Sequence, residues 1–88
     1  MNRLRRKEIE GVIASLEDVI LQIEAQAEIV ASILSDEESY RDNMPEYLWE
    51  SARFEAADAA CNLLAAAHAE LEAYNFDQLI DTLTEAMA

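Results

Sequence analysis

Ile9, Ile13, Leu16, Ile20, Ile23, Ala27, Val30 and Leu34 follow one another at steps that alternate between four and three residues. Such steps keep all of these side chains on one stripe of an α-helix, and they predict a single helix over about residues 4–40 lying along a partner helix. A second line, Val12, Val19 and Ile33, runs beside the stripe, interrupted by Gln26 and widened by Ile29. The apolar face is thus broader than a two-stranded seam requires, and a helix with such a face should touch two neighbours.

The one strong breaker cluster is Tyr40-Arg41-Asp42-Asn43-Met44-Pro45-Glu46. Pro45 lacks the amide hydrogen that a first helical turn leaves unused, and Asn43 with Glu46 has the spacing of a capping box. A turn over about residues 41–45 and a second helix over about residues 46–87 follow. The seam of that second helix, Ala60, Leu64, Ala67, Leu71 and Tyr74, changes phase around Asn75 and resumes as Phe76, Ile80, Leu83 and Met87. The reading adopted is a helix that continues with a changed face; a short third helix capped by Asn75 and Gln78 is the alternative.

The two helices are built from different materials. From Tyr47 onward Ala supplies 12 of the chain's 16, while nine of its ten Ile and Val residues precede Tyr40. If the arms fold back antiparallel about residue 42, facing positions sum to roughly 84, because both helices rise by ~1.5 Å per residue. Ile23 then meets Ala60, Leu16 meets Ala67 and Ile13 meets Leu71, which sets large side chains against small ones. Gly11 falls near Ala73, flanked by Tyr74 and Phe76, where a missing side chain would admit a ring; the alternative is a helix frayed before Gly11. The predicted fold class is therefore all-α, an antiparallel helical hairpin of two long helices in one domain over residues 1–88. Two helices cannot enclose a core, so the hairpin is expected to dimerise into a four-helix bundle, with Val12, Val19 and Ile33 as the self-association surface. A short third helix folding back would be the monomeric remedy.

Composition narrows the possibilities. At 52% hydrophobic residues the chain is too apolar for a disordered acidic tail, and charges interrupt every apolar stretch before a membrane span is reached. The basic start, Arg3 to Lys7, meets Glu8 and Glu10 where an export signal would carry its apolar core, so none is read. The lone Cys61 allows no internal disulfide and fits a reducing, cytosolic compartment. The net charge of −13 is uneven: Arg3, Arg5, Arg6 and Lys7 form a basic head on an acidic body, and Asp77, Asp81 and Glu85 form an acidic row able to answer it. A body of this charge repels nucleic acid and membranes, and attracts a basic protein partner.

Motifs of chemistry are absent. A single glycine rules out a Gly-rich phosphate loop, and no C-x-x-C, H-E-x-x-H or nucleophile elbow occurs. Cys61 and His68 stand seven residues apart, ~10 Å along one helix, too far to share a metal within one chain, although Glu72 is one turn from His68. The carboxylate pairs Glu24 with Glu28, Glu17 with Asp18, and Glu70 with Glu72 read as solvated helix faces. No catalytic residue, cofactor or metal is expected. What packing leaves least explained is an aromatic group near the turn: Tyr40, Tyr47, Trp49 and Phe54, with Arg53 and Met44. Trp, Tyr and Arg are favoured at binding hot spots, so these residues, with Glu46, Glu50, Glu55 and Asp58, form the candidate partner-binding set. The structural alternative is that Trp49 covers Leu34 and seals the bundle end.

The stretch from Asp36 to Glu55, an acidic run followed by Tyr40, Asn43-Met44-Pro45-Glu46, Leu48, Ser51 and Arg53, resembles the turn of a group of small acidic helical proteins. These are encoded by phages and genomes of Gram-positive, often gut-dwelling, bacteria. The resemblance covers about twenty residues and implies a helical hairpin, with no established activity to carry over. At Trp49, Ala52, Phe54 and the Ala-rich run over 56–69 the chain departs from the group's polar residues, as a redesigned core would. The sharpest function these observations suggest is a phage-type inhibitor whose carboxylates stand where a nucleic-acid-binding protein expects phosphates. The alternative is a purely structural self-associating bundle.

Overall fold

The computed structural model describes residues 1–88. It is an all-α antiparallel helical hairpin. The first arm is α1 (Arg3–Asp42); a connection with a 3-10 turn at Glu46–Leu48 leads to a second arm made of α2 (Ala52–Ala73) and α3 (Asp77–Ala86). Asn2 opens α1 by accepting a hydrogen bond from the Arg5 amide at 2.9 Å, and 40 residues follow without interruption. At ~1.5 Å per residue this helix is ~60 Å long. The whole molecule measures 70 × 15 × 13 Å, a rod two helices thick.

Every member of the predicted stripe of α1, from Ile9 to Leu34, is half-buried or buried, and the stripe extends through Glu37 to Arg41. Across from it, α2 turns inward Phe54, Ala57, Cys61, Leu64 and Leu71. α3 lies along α1 with Phe76, Ile80, Leu83 and Met87 half-buried. Only Ala27, Met44, Ala57 and Cys61 are buried, and three of these are among the smallest side chains, as closely approaching helices require. The radius of gyration is 20.8 Å, against ~12 Å for a compact domain of this length. No helix is long and apolar enough to cross a membrane.

The structure corrects the sequence reading in five places. First, the second helix does not begin at residue 46. The Asn43 and Glu46 side chains form no capping box; Pro45 is extended (φ −58°, ψ 149°), the chain makes one 3-10 turn, and Ser51 caps α2 by accepting from the Phe54 amide at 3.2 Å. Second, this longer connection shifts the register: Ile23 shares a groove with Leu71 instead of facing Ala60, and Arg41 reaches Asp58.

Third, the second arm is broken. Tyr74 leaves the helix with extended geometry (φ −69°, ψ 118°), and the Asn75 side chain accepts from the Asp77 amide at 2.8 Å to start α3. The break resets the phase, so that Phe76 and Ile80 return to α1 after the seam of α2 has drifted away. α3 therefore prolongs the second arm and does not fold back as a third layer.

Fourth, Gly11 receives no ring. A Cβ built there meets nothing within 4 Å. Gly11→Ala is therefore expected to stabilise the protein by about 1 kcal/mol, the helix-propensity difference, read from urea unfolding at fixed protein concentration. Fifth, the basic head makes no ion pair with Asp77, Asp81 or Glu85; the three ion pairs present join Arg41 to Asp42, Arg41 to Asp58 and His68 to Glu72.

Candidate interaction surfaces

The turn is closed by its own aromatic residues. The Asn43 amide donates to the Ser39 carbonyl at 3.0 Å and the Met44 amide to Arg41 at 3.2 Å, which finishes α1 and buries Met44. Pro45 then directs the chain away, and the Trp49 indole N–H returns to donate to the Met44 carbonyl at 2.9 Å. The Trp49 ring stacks in a tilted arrangement on Phe54, with centroids 6.3 Å apart and planes at 40°, a geometry that is favourable beyond area burial alone. The Ser51 hydroxyl donates to the Leu48 carbonyl while its oxygen caps α2. Trp49 nonetheless remains 47% exposed, and Tyr47 stands out at 82%.

Of the candidate partner-binding residues, Trp49 and Phe54 are thus engaged in the turn, and Asp58 is held by Arg41 Nη1 at 3.0 Å. Tyr40, Tyr47, Arg53, Glu46, Glu50 and Glu55 are exposed and free of ion pairs. Arg41 also binds Asp42 through Nε at 2.9 Å. That hydrogen bond, opposed by burial, holds its guanidinium above its ordinary pKa. Ion pairs this accessible contribute only ~0–1 kcal/mol, so Arg41 fixes register more than stability.

Cys61 is buried, and burial pushes its thiol above its ordinary pKa; Arg41 pulls the other way, while Glu37, Glu38 and Asp58 add to the rise. A protonated, covered thiol is inert toward electrophiles. His68 Nδ1 lies 2.8 Å from Glu72 Oε1, one turn away on the same helix. No three His, Cys, Asp or Glu side chains are placed together to hold a metal ion. None of the grooves exceeds about 300 Å³, the lower limit for small-molecule pockets.

The longer surfaces are more distinctive, because the two flanks of the hairpin differ in chemistry. On α1 the positions beside the seam on one side are Glu10, Glu17, Glu24 and Glu38; on the other they are Val12, Val19, Ile33 and Tyr40, with Gln26 at the centre. The antiparallel arms match these flanks. Glu24 and Glu72 border the same groove, and Asp58 joins Glu37 and Glu38 around Cys61, all on the acidic side. The opposite side of α2 carries the half-buried Ala60 and Ala67. Val12, Val19, Ile33 and Tyr40 are 49%, 40%, 48% and 49% exposed, so the apolar flank is an open strip along most of the rod. The continuation of this strip to Tyr40 is visible in the sequence as a seven-residue step from Ile33; it escapes a reading that assigns Tyr40 to the turn. Neither a protein-family model nor a characterised protein nor a solved structure matches the chain.

Proposed function

We propose that this chain is a non-catalytic interaction protein: a helical hairpin that pairs with itself through its apolar flank and holds its carboxylates outward toward a basic protein partner. The observation that carries this reading is the opposition of the two flanks. A rod with four buried residues and an open strip of Val, Ile and Tyr is incomplete alone, and its other side carries Glu10, Glu17, Glu24, Glu38, Asp58 and Glu72 on a chain of net charge −13. Carboxylates at helical intervals along a rigid rod offer a basic surface what a phosphate backbone offers, which is the logic of a nucleic-acid mimic or phage-type inhibitor. A single buried thiol is in keeping with a reducing cytosolic setting.

The test is competition. Labelled duplex DNA is bound to a basic, sequence-independent DNA-binding protein, and the chain is titrated in at 50 and 300 mM salt. Displacement at low salt that weakens at least tenfold at high salt is the expected outcome. No displacement at low salt overturns the mimic and leaves the second reading, a self-associating structural bundle without a specific ligand. That second reading is favoured by one observation: Trp49, the strongest hot-spot candidate, is tied to the Met44 carbonyl and to Phe54 within the turn.

A further inference from the structure

The apolar strip, the polar residue within it and the charges at the two ends of the rod share one centre. Val19 and Ile33 stand one heptad before and after Gln26; Val12 and Tyr40 stand two heptads before and after it. A two-fold axis through Gln26, perpendicular to α1, therefore lays Val12 on the second copy's Tyr40 and Val19 on its Ile33. It also brings the two Gln26 amides together. An amide carries both donors and an acceptor, so two of them satisfy each other at a dyad, and a lone polar position within an apolar seam fixes the register of the pair.

The same operation disposes of the unanswered charge. Arg3, Arg5, Arg6 and Lys7 are exposed at one end of the rod and make no ion pair within the chain. The other end, residues 36–58, carries eight carboxylates against Arg41 and Arg53. An antiparallel pair sets Lys7 of each copy within about a helical turn of Asp42 of the other, by the ~1.5 Å rise. A parallel pair stacks like charges at both ends.

A rod leaves open surface that a compact fold of the same mass would cover. The chain exposes 6690 Å², whereas a compact monomer of 9.9 kDa exposes about 5,200 Å². The excess of about 1,500 Å² exceeds the ~800 Å² per partner of a standard interface.

We infer that the occupant of the apolar flank is a second copy of this chain, bound antiparallel with Gln26 on the two-fold axis and each basic head against the acidic turn of its mate. This rests on the self-association proposed above, and the experiment separates the two. Light scattering coupled to size exclusion is expected to give twice 9.9 kDa for the full chain. It is also expected to give a monomer of unchanged helicity for Ile33→Glu, with dimer affinity reduced at least 100-fold. In a Cys61→Ala background, nitroxides are then placed by Ala25→Cys or Ser39→Cys, both on the outer face, and the separation between copies is read by pulsed dipolar spectroscopy. The antiparallel pair separates the residue-39 labels by about 40 Å along the axis and the residue-25 labels by only about 3 Å along it.

A monomeric wild-type chain overturns both the pairing and the reading beneath it. A dimer with equal separations at the two sites overturns the antiparallel arrangement and leaves self-association standing. A dimer unaffected by Ile33→Glu overturns the assigned surface alone, and an assembly larger than two overturns the two-fold closure.

Discussion

Ala57→Leu is expected to lower the stability of the hairpin by about 1–3 kcal/mol, the cost of forcing added methylenes into a packed contact. Ala57 is 3% exposed, on the face that α2 turns to α1. Three further carbon atoms there must either separate the helices or drive neighbouring side chains off their rotamers. Ala59→Leu is the control: it adds the same atoms two residues away on the outer surface and should change stability by less than about 0.5 kcal/mol. Urea unfolding followed by circular dichroism at fixed protein concentration reads both. Equal midpoints for the two variants would show that the arms are not in close contact at Ala57.

Trp49→Ala is expected to be comparably severe. Full burial of a Trp makes truncation cost about 3–5 kcal/mol, and the indole here is 47% exposed. About half of that range is therefore at stake, with ~1 kcal/mol more for the hydrogen bond from Nε1 to the Met44 carbonyl. A loss of about 2.5–3.5 kcal/mol follows. Trp49→Phe keeps a ring against Phe54 and removes the donor with part of the ring area, so it should cost about 1–2 kcal/mol. If both variants unfold with the wild type, the turn is held by Pro45 and the Ser51 cap and not by the indole.

The arrangement of α1 was legible because one rule governs it along its whole length. Steps of four and three from Ile9 to Leu34 mark the face that α2 and α3 cover, and each position on it is at least half-buried. The connection obeyed no such rule. Asn43-Met44-Pro45-Glu46 offers a local helix start, but Trp49 needs an acceptor for its N–H and Met44 needs cover, and both needs are met only if the chain makes a 3-10 turn first. A local signal thus lost to tertiary packing, and the displaced start of α2 moved every cross-helix pair with it.

The break at Asn75 was visible as a change of phase. Its outcome hung on whether Phe76 and Ile80 gain more by returning to α1 than the interrupted backbone loses, a comparison that periodicity alone does not make. The candidate surfaces divide in the same way. The strip of Val12, Val19 and Ile33 follows from the heptad positions, whereas the use of Trp49, Phe54 and Asp58 within the hairpin depends on distances across the turn.

The geometry of the arms also sets the order in which the hairpin comes together and apart. Contacts beside the connection, such as Arg41 with Asp58, join residues 17 apart, while those near Ile9 draw on the far end of the chain. Closing short loops first costs the least entropy, so the arms zip from the turn outward. The interruption at Tyr74–Phe76 stops this zipper short of the open end. α3 is then the last segment to dock and the first to leave, and when it leaves it uncovers the N-terminal part of the apolar stripe of α1, which begins at Ile9.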